Sequence, residues 1–341
     1  MKKIFLIGLT AAAMMASCSN DETVEMAQQK AISFSNAFVN NGTRSIVDPS
    51  FTTTSLNDFA VYGFTQNGQI FNGEKVSKGG TAWSYDNVQY WVPGNTYTFG
   101  AIAPHSVAGN VSNVTLPTGA AKVGMEVAFT NTDAGQVDLL HAAPAQITGV
   151  TPTYTTPVSM TFNHQLSKVK FSFQNSVGEG YNVKVSNVKI TDAFKEGTLT
   201  VAATGNTWGG QTNKNLELNF GNVVADASTT EASVIANAAT LESYNEKLMI
   251  PMENTAIYTV KFTAELYKGN VLLGTYPHTV EIKNVEFKLG YCYNFKASLT
   301  HKNITGPDEL NPIKFNVTSV ENWNQTESNK DLNVPTTHSG I

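Results

Sequence analysis

Apolar and polar residues alternate with a period of two along most of this chain. The clearest run is 259–267, where Val260, Phe262, Ala264 and Leu266 interleave with Lys261, Thr263, Glu265 and Tyr267. That is the pattern of a strand with one buried face. Val169, Phe171 and Phe173 repeat it against Lys168, Lys170 and Ser172, and Tyr291, Tyr293, Phe295, Ala297 and Leu299 repeat it against Cys292, Asn294, Lys296 and Ser298. Asn67-Gly68, Pro93-Gly94, Lys268-Gly269-Asn270 and Leu289-Gly290 interrupt such runs with turn chemistry. Strands joined this tightly pair as antiparallel hairpins. No amphipathic helix pattern exceeds about twelve residues, which favours β-sandwiches over βαβ units. The predicted fold is all-β, with two tandem antiparallel β-sandwich domains.

The stretch 148–157, TGVTPTYTTP, has two prolines and no alternation. It predicts a domain boundary, with an N-terminal sandwich over 45–157 and a C-terminal one over 158–341, each of ordinary domain size. The Ala/Ser/Thr-rich stretch 223–243 predicts a long loop on the second domain, with a short helix as the alternative. Residues 19–30 hold four charges without alternation and predict a flexible tether, so ordered structure should begin near Ala31.

Composition agrees with strands. The 341 residues are 41% apolar and 14% charged, which is enough apolar mass for two cores and excludes disorder for most of the chain. With 40 Thr and 34 Asn, strand and turn formers outnumber charged helix formers. The net charge of −5 leaves no basic stripe for phosphates, which excludes a nucleic-acid partner.

The N-terminus carries an export signal. Met1-Lys2-Lys3 is a basic start, Ile4 to Met15 is a twelve-residue apolar stretch, and Ala16-Ser17-Cys18 follows. The stretch is short for a membrane span. A small-residue pair before a cysteine resembles the lipobox of bacterial lipoproteins, which makes 1–17 a signal peptide and Cys18 the acylated first residue of the mature chain. An ordinary signal peptide with an incidental cysteine is the plainer alternative. A thioether-linked Cys18 leaves Cys292 outside any disulfide framework, as a structural thiol. Ser19-Asn20-Asp21-Glu22 resembles the acidic tag of surface lipoproteins in Bacteroidetes, and a solvated tether would look the same. One lipid anchor without a second apolar segment means attachment to a membrane, not passage through it.

Catalytic patterns are absent from the sequence. The histidines at 105, 141, 164, 278, 301 and 338 have no metal-ligand spacing, and there is no CxxC or Gly-x-Ser-x-Gly. Asp133, Asp138, Asp192 and Glu196 have no spacing that pairs them as glycosidase carboxylates. The expectation is no enzyme, no cofactor and no metal. His164 suits a hydrogen-bonded turn. Trp83, Tyr85, Tyr90 and Trp91 could stack on a sugar, although large aromatics more often fill a core.

Of the 22 basic residues a single one is arginine, Arg44, within Asn40-Asn41-Gly42-Thr43-Arg44-Ser45. Glycine and asparagine around it predict an exposed turn that a protease can draw into its cleft. An Arg-specific protease would have one target, between Arg44 and Ser45, although a lysine-rich chain that keeps one surface arginine looks the same.

These residues together resemble the fimbrillin-like family of Bacteroidetes, the subunits of type V pili. The likeness runs through Ala31-Ile32-Ser33-Phe34, Thr43-Arg44, Asp58-Phe59-Ala60-Val61-Tyr62-Gly63, Trp91 and Tyr97-Thr98-Phe99. It continues through Phe162-Asn163-His164-Gln165-Leu166-Ser167-Lys168-Val169, Met249-Ile250-Pro251, Phe287-Lys288-Leu289-Gly290-Tyr291, Pro312-Ile313-Lys314-Phe315, Val320 and Trp323. The resemblance implies two transthyretin-like sandwiches, secretion as an outer-membrane lipoprotein, and Arg-directed removal of an N-terminal strand at the cell surface. It implies that a neighbouring pilin subunit then fills the opened groove with its own C-terminal strand. On that view 18–44 is a lipidated tether plus a removable strand, in which Ile32, Phe34 and Phe38 share one face by even spacing. Ile313, Phe315 and Val317 have the same spacing and make 312–318 a possible donor strand, unless this is the permanent last strand and residues beyond Trp323 donate. The partners implied are other pilin subunits, the outer membrane through the lipid, an Arg-specific protease and host or bacterial surface ligands. A surface glycan-binding lipoprotein using Trp83, Tyr85 and Trp91 is the alternative, and an enzyme with an unrecognised site a third.

The lipobox predicts that Cys18→Ala leaves the precursor unprocessed and out of the detergent phase in Triton X-114 partitioning. Unchanged partitioning would refute lipidation at Cys18.

Overall fold

The computed structural model describes residues 30–39, 56–226, 228–307 and 310–322. Cys18, Arg44, Ser45 and Trp323 lie outside the described residues. The described chain is nearly all strand, with a 3-10 turn at His105–Asn110 and one short α-helix, His301–Thr305, as its helical pieces. The stretch 223–243 contains the strands Val223–Val224 and Thr240–Ser243 with loop between them, and Ile235 of that loop is fully buried.

Four sheets make up the fold. In the first, seven strands run in the order Phe34–Val39, Val158–His164, Leu140–Ala142, Tyr97–Ala103, Asp58–Thr65, Gly68–Gly79 and Ala82–Ser84. A four-stranded sheet, Gly205–Thr212, Glu196–Ala202, Gly124–Thr130 and Val111–Thr115, covers one face of it. Ala60, Tyr62 and Ile102 from the first sheet meet Met125, Val127, Leu199 and Val201 from the second in a shared core. The central strands of the larger sheet are buried on both faces. This accounts for the unbroken apolar runs Phe59-Ala60-Val61-Tyr62 and Tyr97-Thr98-Phe99 where alternation fails.

The other two sheets form the second sandwich. One holds Val223–Val224, Thr240–Ser243, Ser167–Asn175, Tyr291–Leu299 and Phe315–Asn322, with Lys247–Met249 also paired to Ser167–Asn175. The other holds Leu216–Gly221, Tyr181–Ala193, Met252–Lys268 and Val271–Phe287. Between them Phe171, Phe173, Phe220, Phe262, Phe287 and Phe295 fill one core.

Strand pairing departs from the sequence reading in two respects. The division at 157/158 is not the division of the sheets: Val158–His164 pairs with Phe34–Val39 and Leu140–Ala142, and the hairpin 196–212 extends the sheet of Gly124–Thr130. The proline-rich stretch 148–157 packs on the first sandwich, with Val150 buried and the Tyr154 ring 4.8 Å from that of Trp91. Nor is every pair antiparallel, because Phe34–Val39 runs parallel to Val158–His164, and Ser167–Asn175 runs parallel to Tyr291–Leu299. Tight turns bring neighbours together antiparallel, but strands far apart in sequence are free of that rule.

The two sandwiches meet through a shared core and a polar clamp. Leu166, Leu248 and Ile250 join the core of the first sandwich, and half-buried Cys292 packs against it. Gln136 grips the backbone of Leu248 from both sides, its Nε2 donating to the carbonyl at 2.8 Å and its Oε1 accepting from the amide at 2.8 Å. Asn131 Nδ2 donates to the same carbonyl at 2.8 Å, and Lys247 Nζ lies 3.1 Å from the Asp133 carboxylate. His164 closes the first sheet with Nδ1 2.9 Å from Asp138, and Trp208 Nε1 donates to the Gln165 carbonyl at 2.7 Å.

His141 is buried between the two sheets of the first sandwich, with Asn206 Nδ2 3.1 Å from its Nδ1. Burial, with help from the charge of Lys122, lowers its pKa from 6.5 to about 4. The unfolded chain therefore takes up a proton below pH 6.5 that the folded chain refuses until about pH 4. Stability should fall through that window by up to about 3 kcal/mol. Urea unfolding at pH 7 and pH 4.5 should show the loss in the wild type and a smaller one in His141→Gln.

Candidate functional site: the seat of the N-terminal strand

The strand Phe34–Val39 is an edge of the seven-stranded sheet, held on one side by Val158–His164 in parallel register. The sheet rolls until its two ends meet. Residues just before this strand bond to the chain that follows the last strand: Ile32 N donates to the Gln89 carbonyl at 2.8 Å and Trp91 N to the Lys30 carbonyl at 2.9 Å. The Tyr85 hydroxyl donates to the Ile32 carbonyl at 2.6 Å. Burial raises the Tyr85 phenol above its ordinary pKa, so it remains a donor. Val158 N donates to the Ser33 carbonyl at 2.8 Å on the other side. Segment 30–34 thus closes the roll.

Phe34 is the centre of this closure. Its ring meets those of Tyr85 at 5.6 Å, Phe59 at 5.8 Å, Phe71 at 5.9 Å and Phe99 at 6.2 Å, all edge-on, the arrangement that aromatic quadrupoles favour. Gly63 makes the room, because a Cβ there would lie 2.9 Å from the Phe71 ring and 3.1 Å from the Phe99 ring. Ile32 is 1% exposed and Phe34 4%, and covering these two side chains contributes about 3–6 kcal/mol.

Phe38 does not simply continue the pattern. The register shifts between Ser35 and Phe38, so position 38 stands opposite exposed Thr161 and position 39 opposite buried Phe162. An extra residue inverts the alternation beyond it, as bulges do. Even spacing therefore does not put position 38 on the face of Phe34. The side chain of Phe38 lies outside what is described.

At the other end of the chain, Ile313 is 2% exposed in the core of the second sandwich. It precedes the strand Phe315–Asn322, which starts three residues later than the 312–318 of the sequence reading. The Phe315 ring lies 5.2 Å from Phe171, 5.6 Å from Phe173 and 6.1 Å from Phe262, and Val317 packs beside it. This strand is also an edge, paired antiparallel with Tyr291–Leu299 alone.

Of the four residues considered for sugar stacking, Tyr90 is 47% exposed and the other three are engaged in the core. Trp91 is buried, Tyr85 packs on Phe34 and Phe71, and Trp83 lies half-buried with its ring 5.2 Å from Phe59. The carboxylates Asp133, Asp138 and Asp192 hold Lys247, His164 and Lys214, and Glu196 accepts from Thr212 and Asn213. Among the described residues no group of three or more His, Cys, Asp or Glu could hold a metal ion, and no helix is long and apolar enough to cross a membrane. Nothing in the sequence marks Gln136 and Asn131 as clamp residues, since isolated amides carry no periodic signal.

A strand that closes a rolled sheet from its edge, upstream of the lone arginine, is the feature to set beside known proteins. Residues 43–323 match the family model described as fimbrillin-like. The chain belongs to the fimbrillin-like family. Its fold is similar to that of a fimbrial protein from Bacteroides vulgatus ATCC 8482, at a TM-score of 0.59 and 14% identity over 86% of this chain and 99% of that one. A protein described as a putative cell adhesion protein from Bacteroides ovatus ATCC 8483 aligns at a TM-score of 0.49 and 17% identity, covering 86% of this chain and 98% of its own. No curated protein matches the sequence. Membership places this chain among pilus-type subunits of the cell surface. In this fimbrillin-like chain the strands that form the seat lie inside the matched region, while Ile32 and Phe34 lie ahead of it.

The seat yields a direct test. Phe34→Ala should destabilise the full-length protein by about 3–5 kcal/mol, and Tyr85→Phe by about 1 kcal/mol. Urea denaturation of the two variants measures both, and an unchanged midpoint for Phe34→Ala would show that the strand does not hold the first sandwich closed.

Proposed function

We propose that this protein is the precursor of a polymerising pilus subunit with no catalytic activity of its own, activated by cleavage between Arg44 and Ser45. The observation that carries this reading is the seat. Ile32 and Phe34 fill an apolar groove from an edge position, so their removal opens the groove without cutting any other strand of the sheet. The lipid at Cys18 holds the precursor at the outer membrane until an Arg-specific protease frees it.

The vacated groove offers the unpaired edge of Val158–His164, the backbone of Gln89 and Trp91, and a four-ring pocket. A strand from a neighbouring subunit fills it by β-strand addition. Ile313-Lys314-Phe315 repeats the Ile-x-Phe of Ile32-Ser33-Phe34, and its strand can peel from a sheet edge, which supports the segment with Ile313, Phe315 and Val317 as donor. Three such side chains contribute about 5–9 kcal/mol in the groove, against about 1–2 kcal/mol per residue for ordering seven to nine residues. Fibre durability then rests on slow strand withdrawal. The polymer displays its surface to host or bacterial ligands.

Arg44→Ala should abolish the ladders that resist boiling in detergent, while wild-type protein treated with an Arg-specific protease forms them. Ladders from Arg44→Ala would remove cleavage at this position as the trigger.

A further inference from the structure

Among the described residues, seven of the nine exposed large apolar side chains gather at two opposite ends of the molecule, Val234 and Ile257 being the others. The hairpin joining Met252–Lys268 to Val271–Phe287 presents Val271, Leu272 and Leu273 in succession, 67%, 49% and 48% exposed. Leu310, 77% exposed, follows the helix His301–Thr305 at the same end. Tyr181 ties the two together, its ring 6.0 Å from His301 and 5.8 Å from Lys268 Nζ. On the first sandwich Val88, Tyr90 and Val92, 45%, 47% and 42% exposed, alternate along the segment in which Trp91 is buried.

Chain direction places these groups at opposite poles. Ile250 is buried in the junction, and from Met252 the strand runs seventeen residues outward to Lys268, about 55 Å at 3.3 Å per residue. Val158–His164 runs toward the junction, so Ile32, ahead of Val158 in register, and the Gln89-Tyr90-Trp91 chain bonded beside it lie at the remote end.

Edge strands of soluble proteins usually carry guards against pairing. The edge strand Val271–Phe287 has Pro277, Glu281 and Lys283 along its later part, but Val271-Leu272-Leu273-Gly274-Thr275-Tyr276 has neither charge nor proline. Each rim carries both signs: exposed Lys268 pairs in register with Val271, and exposed Glu179 precedes Gly180, whose carbonyl accepts from Gly269 N, while exposed Asp86 precedes Val88 and the carbonyl of exposed Lys30 accepts from Trp91 N. Tip against ridge can match Lys268 with Asp86 and Glu179 with Lys30. A contact between two different patches repeats without closing and builds a filament. The last strand also begins at the hairpin pole, where Phe315 pairs with Ala297, so a peeled donor would project from that end.

We propose that the Val271-Leu272-Leu273 knuckle of one subunit packs on Val88, Tyr90 and Val92 of the next copy, as a head-to-tail contact alongside the exchanged strand. It rests on the polymerisation reading above and adds to it a second contact, independent of the groove.

Cysteine cross-linking of assembled polymers tests it. In a Cys292→Ser background, the chain carrying both Leu272→Cys and Tyr90→Cys should give, under copper phenanthroline, ladders that are covalent even after formic acid dissolves exchanged strands. Each single variant should give none. Polymers of the double variant that form normally but yield no covalent ladder would overturn the contact and leave strand exchange standing. Covalent dimers from Leu272→Cys alone would replace it with a tip-to-tip contact, and capture of another polypeptide would refute a second copy as occupant. Absence of polymers from the parent chain would remove both readings. Leu272→Asp, with the monomer's melting unchanged, should lower polymer yield about tenfold, the factor that about 1.4 kcal/mol per contact supplies; undiminished yield would also overturn the contact.

Discussion

The edge-on contact of Phe34 with Phe59, Phe71, Tyr85 and Phe99 is the interaction on which the first sandwich depends. A seven-stranded sheet rolled on itself must fill its interior and satisfy the backbone where its ends meet. Segment 30–34 does both, its two apolar side chains entering the core while its carbonyls take bonds from Trp91, Tyr85 and Val158. Most other core residues of that sheet, among them Phe59, Val61, Phe71, Phe99 and Phe162, come from strands held on both sides. This one is held in parallel register on one side, with a bulge after Ser35, a weaker attachment than the antiparallel ladders around it. Strong side-chain burial on a weakly laddered edge gives a part held by its side chains more than by its ladder.

The junction has the opposite character. Gln136, Asn131 and Asp133 reach from the first sandwich to the backbone of Leu248 and to Lys247, and the buried pair Lys168–Glu246, 3.0 Å apart, lies beneath. Each polar group is matched where burial would otherwise be costly. Such pairs add little net stability, but breaking either partner is expensive, so they fix geometry more than they add energy. One continuous stretch, 158–175, threads both sandwiches as Val158–His164 and Ser167–Asn175, and each half has a parallel neighbour. The pole-to-pole direction of the molecule follows from that thread and the clamp across it.

The two Ile-x-Phe segments sit in comparable settings. Each places an aliphatic side chain in a core and a phenylalanine among other rings, and each leads into an edge strand. They differ in direction, since Phe34–Val39 pairs parallel and Phe315–Asn322 pairs antiparallel with its neighbour. An apolar edge segment at one end and an edge strand of similar pattern at the other are the two complementary parts that the proposed open-ended assembly requires.

The sequence by itself determined the class of fold, because period-two alternation is local and survives any tertiary arrangement. It showed the strands around 168–173, 259–267 and 291–299, the turns at Asn67-Gly68 and Lys268-Gly269-Asn270, and the apolar pair Ile32 and Phe34. Only the tertiary structure decided which strands share a sheet. Hairpin 196–212 joins strand 124–130 across more than sixty residues of chain, and the parallel pairs join partners more distant still. Nothing local encodes such partners, because any half-buried strand presents the same face to any sheet. The bulge that moves position 38 off the face of Phe34 was equally invisible, since even spacing holds only while the ladder stays in register. Roles for Gln136, Asn206 and Tyr85 waited on the fold for the same reason: a single polar side chain acquires meaning from the backbone group that folding brings to it.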